Sequence, residues 1–479
     1  MKHKNIKFLA IIFGCCLAWS CKKELNVLPT TSEVDGNVIV DATSASTVLN
    51  GVYYRFADAG VDVNKVPSLL WTQVNEVLPS ELANGLNHAG ISDGVSNLLI
   101  VSQSPTSAYV WDYGYNLVNA ANGFIENITP VTTIPAATKT EMLAEAQFLR
   151  AFGNAELLLY YGQYYDPTSK YGIILRNGPV TADNINSPRT GVAAAYTSIL
   201  GDLDAAIAGL PALNTQICYA NASAAKLLKA RVLINRGAAG DYAEVISLTN
   251  DIITNGPFTL EANVKDIFLT KGFSSKEVIL GVQPFPTETE KFTQYQVNGY
   301  YTISGILASF FNNDPSSQWV YRNDQGGSVY GRAFGAINEL TKYYSGPVVN
   351  PVQTPLAENC YAFRLTEAYL LEAEAITLSN GNLATAQGLL QTVEAHAGIT
   401  DFSAINNANT ATALQLLIVK EEMKSFVGEN GADWFALRRL PFNTIQSIQP
   451  YLISTVQLIL PIPYAEITSN NQVIQNPGY

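Results

Sequence analysis

Two stretches of the sequence place a tryptophan close to polar side chains that could hydrogen-bond a ligand. A sugar offers apolar C–H faces and a rim of hydroxyls, so a flat aromatic ring beside amide, carboxylate or guanidinium groups is a suitable receptor for it. For each ring, packing in the hydrophobic core is the alternative. The two groups are Trp71 with Asn75 and Glu76, and Trp319 with Tyr321, Arg322 and Asn323.

Residue types for covalent or metal chemistry are sparse. Apart from His3, the histidines are His88 and His396, which lie far apart in the sequence. No HExxH, GxSxG, Walker A or CxxC pattern is present, and no run of side chains has metal-ligand spacing. The sequence therefore predicts no catalytic residue, no metal and no cofactor. A glycoside hydrolase needs only two carboxylates, and the 40 acidic residues leave that alternative open.

Composition limits the class of protein and its partners. The chain has 479 residues, of which 47% are apolar, enough for a large core in one or two domains. The formal net charge of −12 argues against nucleic acid, which needs a concentrated basic surface. Cys218 and Cys360 are the cysteines beyond the first 21 residues. Their separation in sequence leaves open whether they form a disulfide.

The start of the chain has the pattern of an export signal. Three lysines precede an apolar run at residues 8–19, which is shorter than the roughly 20 residues that span a bilayer. The small residue Ser20 stands directly before Cys21, which resembles a bacterial lipoprotein signal. The sequence predicts a lipoprotein signal peptide at residues 1–20, lipidation of Cys21 and a flexible tether at residues 21–37. Secretion without lipid is the alternative.

Helical periodicity predicts that the chain is mostly α-helical. Apolar residues recur at helical spacing in residues 44–56, 111–128 and 141–161. Residues 58–107 lack a clear period, and we expect a long ordered loop region there, where binding residues concentrate.

A repeat further along predicts how the helices pack. Residues 224–253 and 364–396 align without gaps, and each reads as helix, Gly-polar-apolar-Ala turn, helix. This order is the tetratricopeptide plan, in which a helix pair buries one face only when it stacks on its neighbour. We therefore expect tetratricopeptide-like helix pairs that form a scaffold.

Between the two repeats, residues 257–358 differ in composition. They are rich in Gly, Pro, Asn and aromatic residues, and they are too many for a structureless loop. We expect an insertion with short strands, one of them at residues 278–282. The division is thus one domain over residues 38–479, with a helical scaffold at 38–256 and 359–479 and an aromatic-rich insertion at 257–358.

Several segments resemble one known family. Leu-Pro-Ile-Pro at residues 460–463 and Gln-Asn-Pro-Gly-Tyr at 475–479 are similar to the closing signature of the SusD/RagB family of Bacteroidetes outer-membrane lipoproteins. Internal helices agree with the family's order and spacing, although Ala436 replaces the usual Asp. The matching internal segments are residues 146–162, 199–207, 224–232, 364–375 and 434–439.

The resemblance implies a function and partners. Family members have a tetratricopeptide scaffold with a variable ligand-binding region, and each caps a SusC-like TonB-dependent transporter. The resemblance implies a surface-exposed lipoprotein of the cell outer membrane that binds a glycan or oligosaccharide nutrient and delivers it to the transporter without catalysis. The alternatives are a surface glycoside hydrolase, a tetratricopeptide adaptor that binds protein, and a peptide-capturing relative.

The resemblance also selects candidate ligand-binding residues, because family members build the ligand face from the region after the first helix and from the insertion. We expect Trp71, Trp319 and Tyr321 to be stacking platforms, with hydrogen bonds from nearby polar side chains and with further walls from tyrosines. The polar candidates are Asn75, Glu76, Arg322 and Asn323, and the further tyrosines are Tyr295, Tyr300 and Tyr301.

Overall fold

The computed structural model describes residues 38–57, 70–88, 94–285, 287–324, 337–347 and 350–479. The predicted signal peptide at 1–20, the tether at 21–37 and the lipidation candidate Cys21 lie outside the described residues. Among the described residues, none of the helices combines the length and the apolar character that crossing a membrane requires.

The described part of the chain is mostly α-helical, as the sequence predicts. The helices, numbered in chain order, are α1 Ala42–Ala57, α2 Leu78–Leu82, α3 Pro105–Ile128, α4 Ala136–Tyr161, α5 Val192–Gly209, α6 Ala222–Arg236, α7 Asp241–Asn255, α8 Glu290–Phe292, α9 Gly305–Phe310, α10 Leu365–Leu378, α11 Leu383–His396, α12 Ser403–Asn406, α13 Ala411–Phe426, α14 Ala432–Leu437, α15 Phe442–Ile448 and α16 Tyr464–Ser469. Short π-helical segments are Thr72–Val77, Ile267–Lys271 and Thr293–Val297, and 3₁₀ turns are Gly272–Ser274, Pro315–Gln318 and Thr455–Leu458.

The two predicted repeats are helix pairs that stack on each other. They correspond to α6 with α7 and to α10 with α11, and α7 packs directly against α10. The side chain of Asn221 caps α6 by accepting a hydrogen bond of 3.0 Å from the backbone N–H of Ala224. The turn to α7 uses Gly237 at φ +60° and Gly240 at φ +90°, left-handed angles that glycine adopts without strain. The helix-pair prediction is confirmed.

Short strands join distant parts of the chain, and they are β1 Leu86–His88, β2 Val278–Val282, β3 Tyr301–Ile303, β4 Tyr321–Asp324, β5 Ile337–Leu340 and β6 Cys360–Arg364. β2 pairs antiparallel with β6, and the other strands form a four-stranded sheet in the order β1-β3-β5-β4. The predicted strand at residues 278–282 coincides with β2.

Buried ion pairs attach the strands to the helices. Arg231 on α6 forms a bidentate ion pair with Glu367 on α10. Its Nε donates to Oε1 at 2.7 Å and its Nη2 donates to Oε2 at 2.8 Å. Arg364 at the end of β6 donates to Glu277, directly before β2, at 2.9 Å, and it also pairs with Glu429 between α13 and α14. Removing one member of such a pair leaves an uncompensated buried charge, so each pair fixes the relative position of its elements.

Cys218 and Cys360 are buried free thiols rather than a disulfide. Burial raises the pKa of the Cys218 thiol to about 12, so it is neutral at pH 7. The disulfide that the sequence left open is therefore absent between these two residues.

Candidate ligand-binding surface

Trp71 is a core residue rather than the exposed stacking platform that the sequence predicts. Its side chain is 1% exposed and lies directly before the π-helical segment Thr72–Val77. The ring stacks on Phe152 with 5.7 Å between centroids, and it meets Phe56 edge-on at 5.2 Å. The predicted loop around it is instead helical over residues 70–82. Neighbouring rings therefore occupy the positions where a sugar would have to stack.

Glu76 and Tyr295, both predicted on the ligand face, are buried and hydrogen-bonded to each other, and Glu76 also pairs with Lys291. Lys291 Nζ donates to Glu76 Oε1 at 2.8 Å, and Tyr295 Oη donates to Glu76 Oε2 at 2.9 Å. The side chains of Lys291 and Glu76 are completely buried. Burial raises the pKa of Glu76, although Lys291 opposes that shift. We call Glu76, Lys291 and Tyr295 the buried ionic cluster, and its role is structural because no member is accessible.

Two further predicted residues are also buried. Asn75 is 1% exposed, and Tyr301 is buried with its ring edge-on to Tyr295 at 5.3 Å. Both side chains point into the core, so neither can contact a ligand without rearrangement of the fold.

Trp319 and Tyr321 remain partly accessible, and each rests on a buried ring. The Trp319 ring stacks on Phe268 at 5.7 Å between centroids, and Tyr321 meets Phe311 edge-on at 5.5 Å. Trp319 and Phe268 are among the residues that line a space of only about 20 Å³. A ring fixed by the core on one side and partly open on the other suits stacking, and the role of both residues stays a prediction.

Pairing of β1 with β3 brings the two predicted regions together. His88 at the end of β1 lies opposite Tyr301 in the register, and its ring stacks on Tyr300 with 5.1 Å between centroids and 25° between planes. Both His88 and Tyr300 are partly exposed. The sequence carries no signal for a binding role of His88, because the period-two pattern of a three-residue strand is too short to recognise.

One face of the same sheet carries a row of polar side chains, in which Asn87 and Arg322 are partly exposed and Thr302 and Glu339 are buried. In the register Asn87 lies opposite Thr302, Thr302 opposite Glu339, and Glu339 opposite Arg322. Directly opposed residues share a face, and the other face holds Leu86, which is buried. Arg322 Nη2 donates to Glu339 Oε2 at 2.8 Å. The Nε of Arg322 makes no hydrogen bond to the described residues.

The partly exposed residues of this sheet and of the turns beside it are the candidates for contact with a ligand. Asn323 belongs to β4, but its side chain lies outside the part of the chain that the structure describes. Asn87 and Arg322 lie on the polar face, whereas His88 and Tyr321, which alternate with them along β1 and β4, lie on the face of Leu86 and Leu340. We define the sheet surface as the partly exposed residues on both faces and in the adjoining turns: Asn87, His88, Tyr300, Trp319, Tyr321 and Arg322.

Known families and structures match this chain. A family model described as "Starch-binding associating with outer membrane" matches residues 83–234, and a model described as "SusD family" matches residues 340–457. A curated SusD-like protein of Bacteroides ovatus is 24% identical over 324 residues, which cover 58% of this chain and 57% of that protein. The chain thus matches little more than half the length of that relative.

Solved structures share the fold over nearly the whole chain. A SusD superfamily protein of Parabacteroides distasonis has a TM-score of 0.74 at 16% identity, covering 91% of this chain and 99% of that one. A SusD superfamily protein of Bacteroides thetaiotaomicron has a TM-score of 0.72 at 19% identity, with coverage of 91% and 100%. A laminarin-binding SusD-like protein has a TM-score of 0.70 at 20% identity, with coverage of 92% and 100%.

The two family models match separate parts of the scaffold, together more than half of the chain, and the helical architecture agrees with the solved SusD superfamily structures. The chain belongs to the SusD/RagB family.

Proposed function

We propose that this protein is a cell-surface lipoprotein that binds a glycan or oligosaccharide and passes it, uncleaved, to a SusC-like TonB-dependent transporter of the outer membrane. One matching family model carries the description of starch binding and outer-membrane association, and one similar structure is that of a laminarin-binding protein. Starch and laminarin are both neutral glucose polymers, so neutral glucans are the first ligands to test.

The observation that carries the binding proposal is the meeting of two distant chain segments in one sheet. Asn87 and His88 come from the segment after α2, whereas Tyr300 and Arg322 come from the segment between β2 and β6. A Tyr ring offers a flat apolar face, and Asn and Arg side chains offer donors and acceptors for hydroxyls. These groups bind a sugar without a covalent step, so capture is an equilibrium and the glycan leaves intact.

Tyr300→Ala should weaken glucan binding by about 1–3 kcal/mol, the usual effect of truncating an aromatic anchor at a binding site. The fold should be retained, because Tyr300 is partly exposed and adjoins a short strand. Calorimetric titration with maltoheptaose and laminarihexaose measures the affinity. The control is Tyr451→Ala, which removes a ring that is 51% exposed outside the sheet surface. Equal affinities for the two variants would contradict the assignment of Tyr300.

The lipid-anchor part of the proposal rests on the sequence around Cys21. Cys21→Ala should move the protein from the membrane fraction to the soluble fraction, because two or more acyl chains supply the hydrocarbon burial that holds such a protein on a membrane. Fractionation after a salt wash, with labelling by radioactive palmitate, gives the answer. Cys16→Ala is the matched control and should stay acylated. A Cys21→Ala protein that remains in washed membranes would contradict the anchor.

Family membership alone supports the transporter as a partner of this protein. Detergent extraction of the native membrane followed by purification of this protein should recover a transporter of the SusC-like, TonB-dependent class. Purification of the protein without any such transporter would count against delivery.

A glycoside hydrolase is the second candidate, and one cleft favours it. Asp112, Tyr115, Arg176 and Glu466 are among the residues that line a space of about 500 Å³. Burial and then the negative charge of Glu466 raise the pKa of Asp112, the direction that a general acid requires. Hydrolysis would release new reducing ends from a glycan, and Asp112→Asn would stop their release. The capture proposal expects no new reducing ends from the unaltered protein.

A further inference from the structure

A cleft separate from the sheet surface is lined by aromatic rings and side-chain amides. It lies among α1, the loop that precedes α6 and the residues that follow β2, and its volume is about 250 Å³. The partly exposed rings in it are Tyr54, Tyr219 and Phe285, and the exposed amides at its rim are Asn50, Gln216 and Gln283.

The rings of this cleft are held in place by contacts with each other and with the core. Tyr54 packs on Phe285 with 5.3 Å between centroids and 59° between planes. Tyr219 packs on Tyr53 at 4.8 Å, and Tyr53 is anchored because its hydroxyl donates to the buried carboxylate of Glu145. A ligand would therefore meet preformed aromatic walls, which lowers the ordering cost of binding.

Two of the three rim amides, Asn50 and Gln216, have side-chain groups that can still form hydrogen bonds with a ligand. Tyr219 Oη donates to Asn50 Oδ1 at 2.9 Å, which orients that amide. Gln283 is occupied on both sides, since its Oε1 accepts from Cys218 at 3.5 Å and its Nε2 donates to the Pro284 carbonyl at 3.2 Å. Within the described residues, neither the Nδ2 of Asn50 nor the side-chain amide of Gln216 has a hydrogen-bond partner. These groups can bond to ligand hydroxyls.

Charge and size limit what the cleft can hold. None of its lining residues is Asp, Glu, Lys, Arg or His. Arg55 lies beside the cleft, with its guanidinium 5.5 Å from the Tyr54 ring centroid, but it does not line the cleft. An ionic ligand inside would therefore lose hydration without direct pairing to a charge. The volume of about 250 Å³ lies below the range of roughly 300–1,000 Å³ for drug-sized sites. A single neutral ring with an apolar face and polar edges therefore fits best.

We propose that this cleft is a second binding site, which takes one neutral sugar ring of a saccharide. The C–H face of the sugar lies against Tyr54 and Phe285, and its hydroxyls bond to Asn50 and Gln216. The inference rests on the proposed function in taking saccharides as the ligands, but no lining residue of the cleft belongs to the sheet surface. The two sites can therefore be tested independently.

The test uses saturation-transfer NMR on the full-length protein, with the methyl glycosides of glucose, galactose and mannose as probes. At least one probe should bind, Phe285→Ala should raise its Kd at least tenfold, and Gln216→Ala should raise it several-fold. Tyr451→Ala should leave the Kd unchanged, because that exposed ring lies outside both the cleft and the sheet surface. Gln216 is exposed, so its variant decides the outcome if Phe285→Ala does not fold.

Three results would overturn the second site. The first is the absence of saturation transfer to any methyl glycoside, and the second is an unchanged Kd in both cleft variants. The third is displacement of a bound glycoside by N-acetylphenylalaninamide that binds more tightly, because the cleft would then be a site for peptide side chains. If instead the proposed function is wrong, Tyr300→Ala leaves the affinity for glucans unchanged. The two failures are thus distinguishable in the same set of proteins.

Discussion

Lys291→Met should lower the free energy of unfolding by about 3–5 kcal/mol, the cost of leaving one buried charge without its partner. Lys291 donates to Glu76 at 2.8 Å, and both side chains are completely buried. Methionine fills a similar volume but cannot donate, so Glu76 must either stay charged without a cation or take up a proton. Chemical denaturation at pH 7 measures the loss.

A matched control and a rescue variant separate charge from packing. Lys265→Met removes an exposed lysine and should change stability by less than about 0.5 kcal/mol, as surface substitutions do. Adding Glu76→Gln to Lys291→Met should recover part of the lost stability, because neither side chain of this buried pair then carries a charge. A Lys291→Met protein as stable as the Lys265→Met control would contradict the buried ionic cluster.

The same cluster predicts the direction of a pH effect. Burial raises the pKa of Glu76, so the folded state binds this proton more tightly than the unfolded chain does. The contribution of Glu76 to stability is therefore highest below the usual carboxyl pKa, and it falls as pH rises through the raised folded value. Lys291→Met removes the cation that opposes the shift, so its stability should fall more steeply with pH than that of the unaltered protein. Denaturation curves from pH 4 to pH 8 test the slope.

Trp71→Ala should also cost about 3–5 kcal/mol of stability, the usual range for removing a large aromatic side chain from a core. The ring contacts Phe152 and Phe56 and is 1% exposed, so its loss leaves a cavity. The protein that remains folded should bind glucans with unchanged affinity. Chemical denaturation and calorimetric titration of one preparation give both quantities.

Trp319→Ala is the matched comparison for Trp71→Ala. Trp319 is partly exposed on the sheet surface, so its removal should weaken glucan binding by about 1–3 kcal/mol while the protein stays folded. Normal stability together with weakened binding in Trp71→Ala would mean that Trp71 contacts the ligand. That result would contradict its assignment to the core.

The helix pairs could be predicted because their signals are local. In α6 with α7 and in α10 with α11, helical periodicity and a glycine-containing turn recur at one offset in the sequence. The strand β2 was predictable for a similar reason, because Val278–Val282 is a short apolar run between turn residues. Local propensity and tertiary packing agree in these elements, so the sequence is sufficient.

The helical turns around Trp71 could not be predicted from a 3.6-residue period. Residues 72–77 form a π-helical segment, whose wider turn shifts the apolar positions away from α-helical spacing. Such a segment resembles a loop in the sequence. The sequence therefore predicts a surface position for Trp71 and its polar neighbours, although the tertiary fold buries them.

The exposure of single side chains could not be predicted from the sequence either. Glutamate and lysine are almost never fully buried unless they are paired. Glu76 and Lys291 pair with each other, but they lie 215 residues apart in the sequence. Trp71 and Trp319 are equally apolar, yet one is in the core and the other is partly exposed. Which of them can meet a ligand depends on contacts between distant segments, and no local pattern records those contacts.

The most direct test of glycan capture is calorimetric titration of the purified Cys21→Ala protein against a panel of neutral oligosaccharides and peptides, with chromatography of every sample afterwards. If the protein captures glycans, one class of glycan gives saturable heat and is recovered at its original length. Shortened glycans would identify a hydrolase, and saturable binding of peptides with no heat from any glycan would contradict glycan capture.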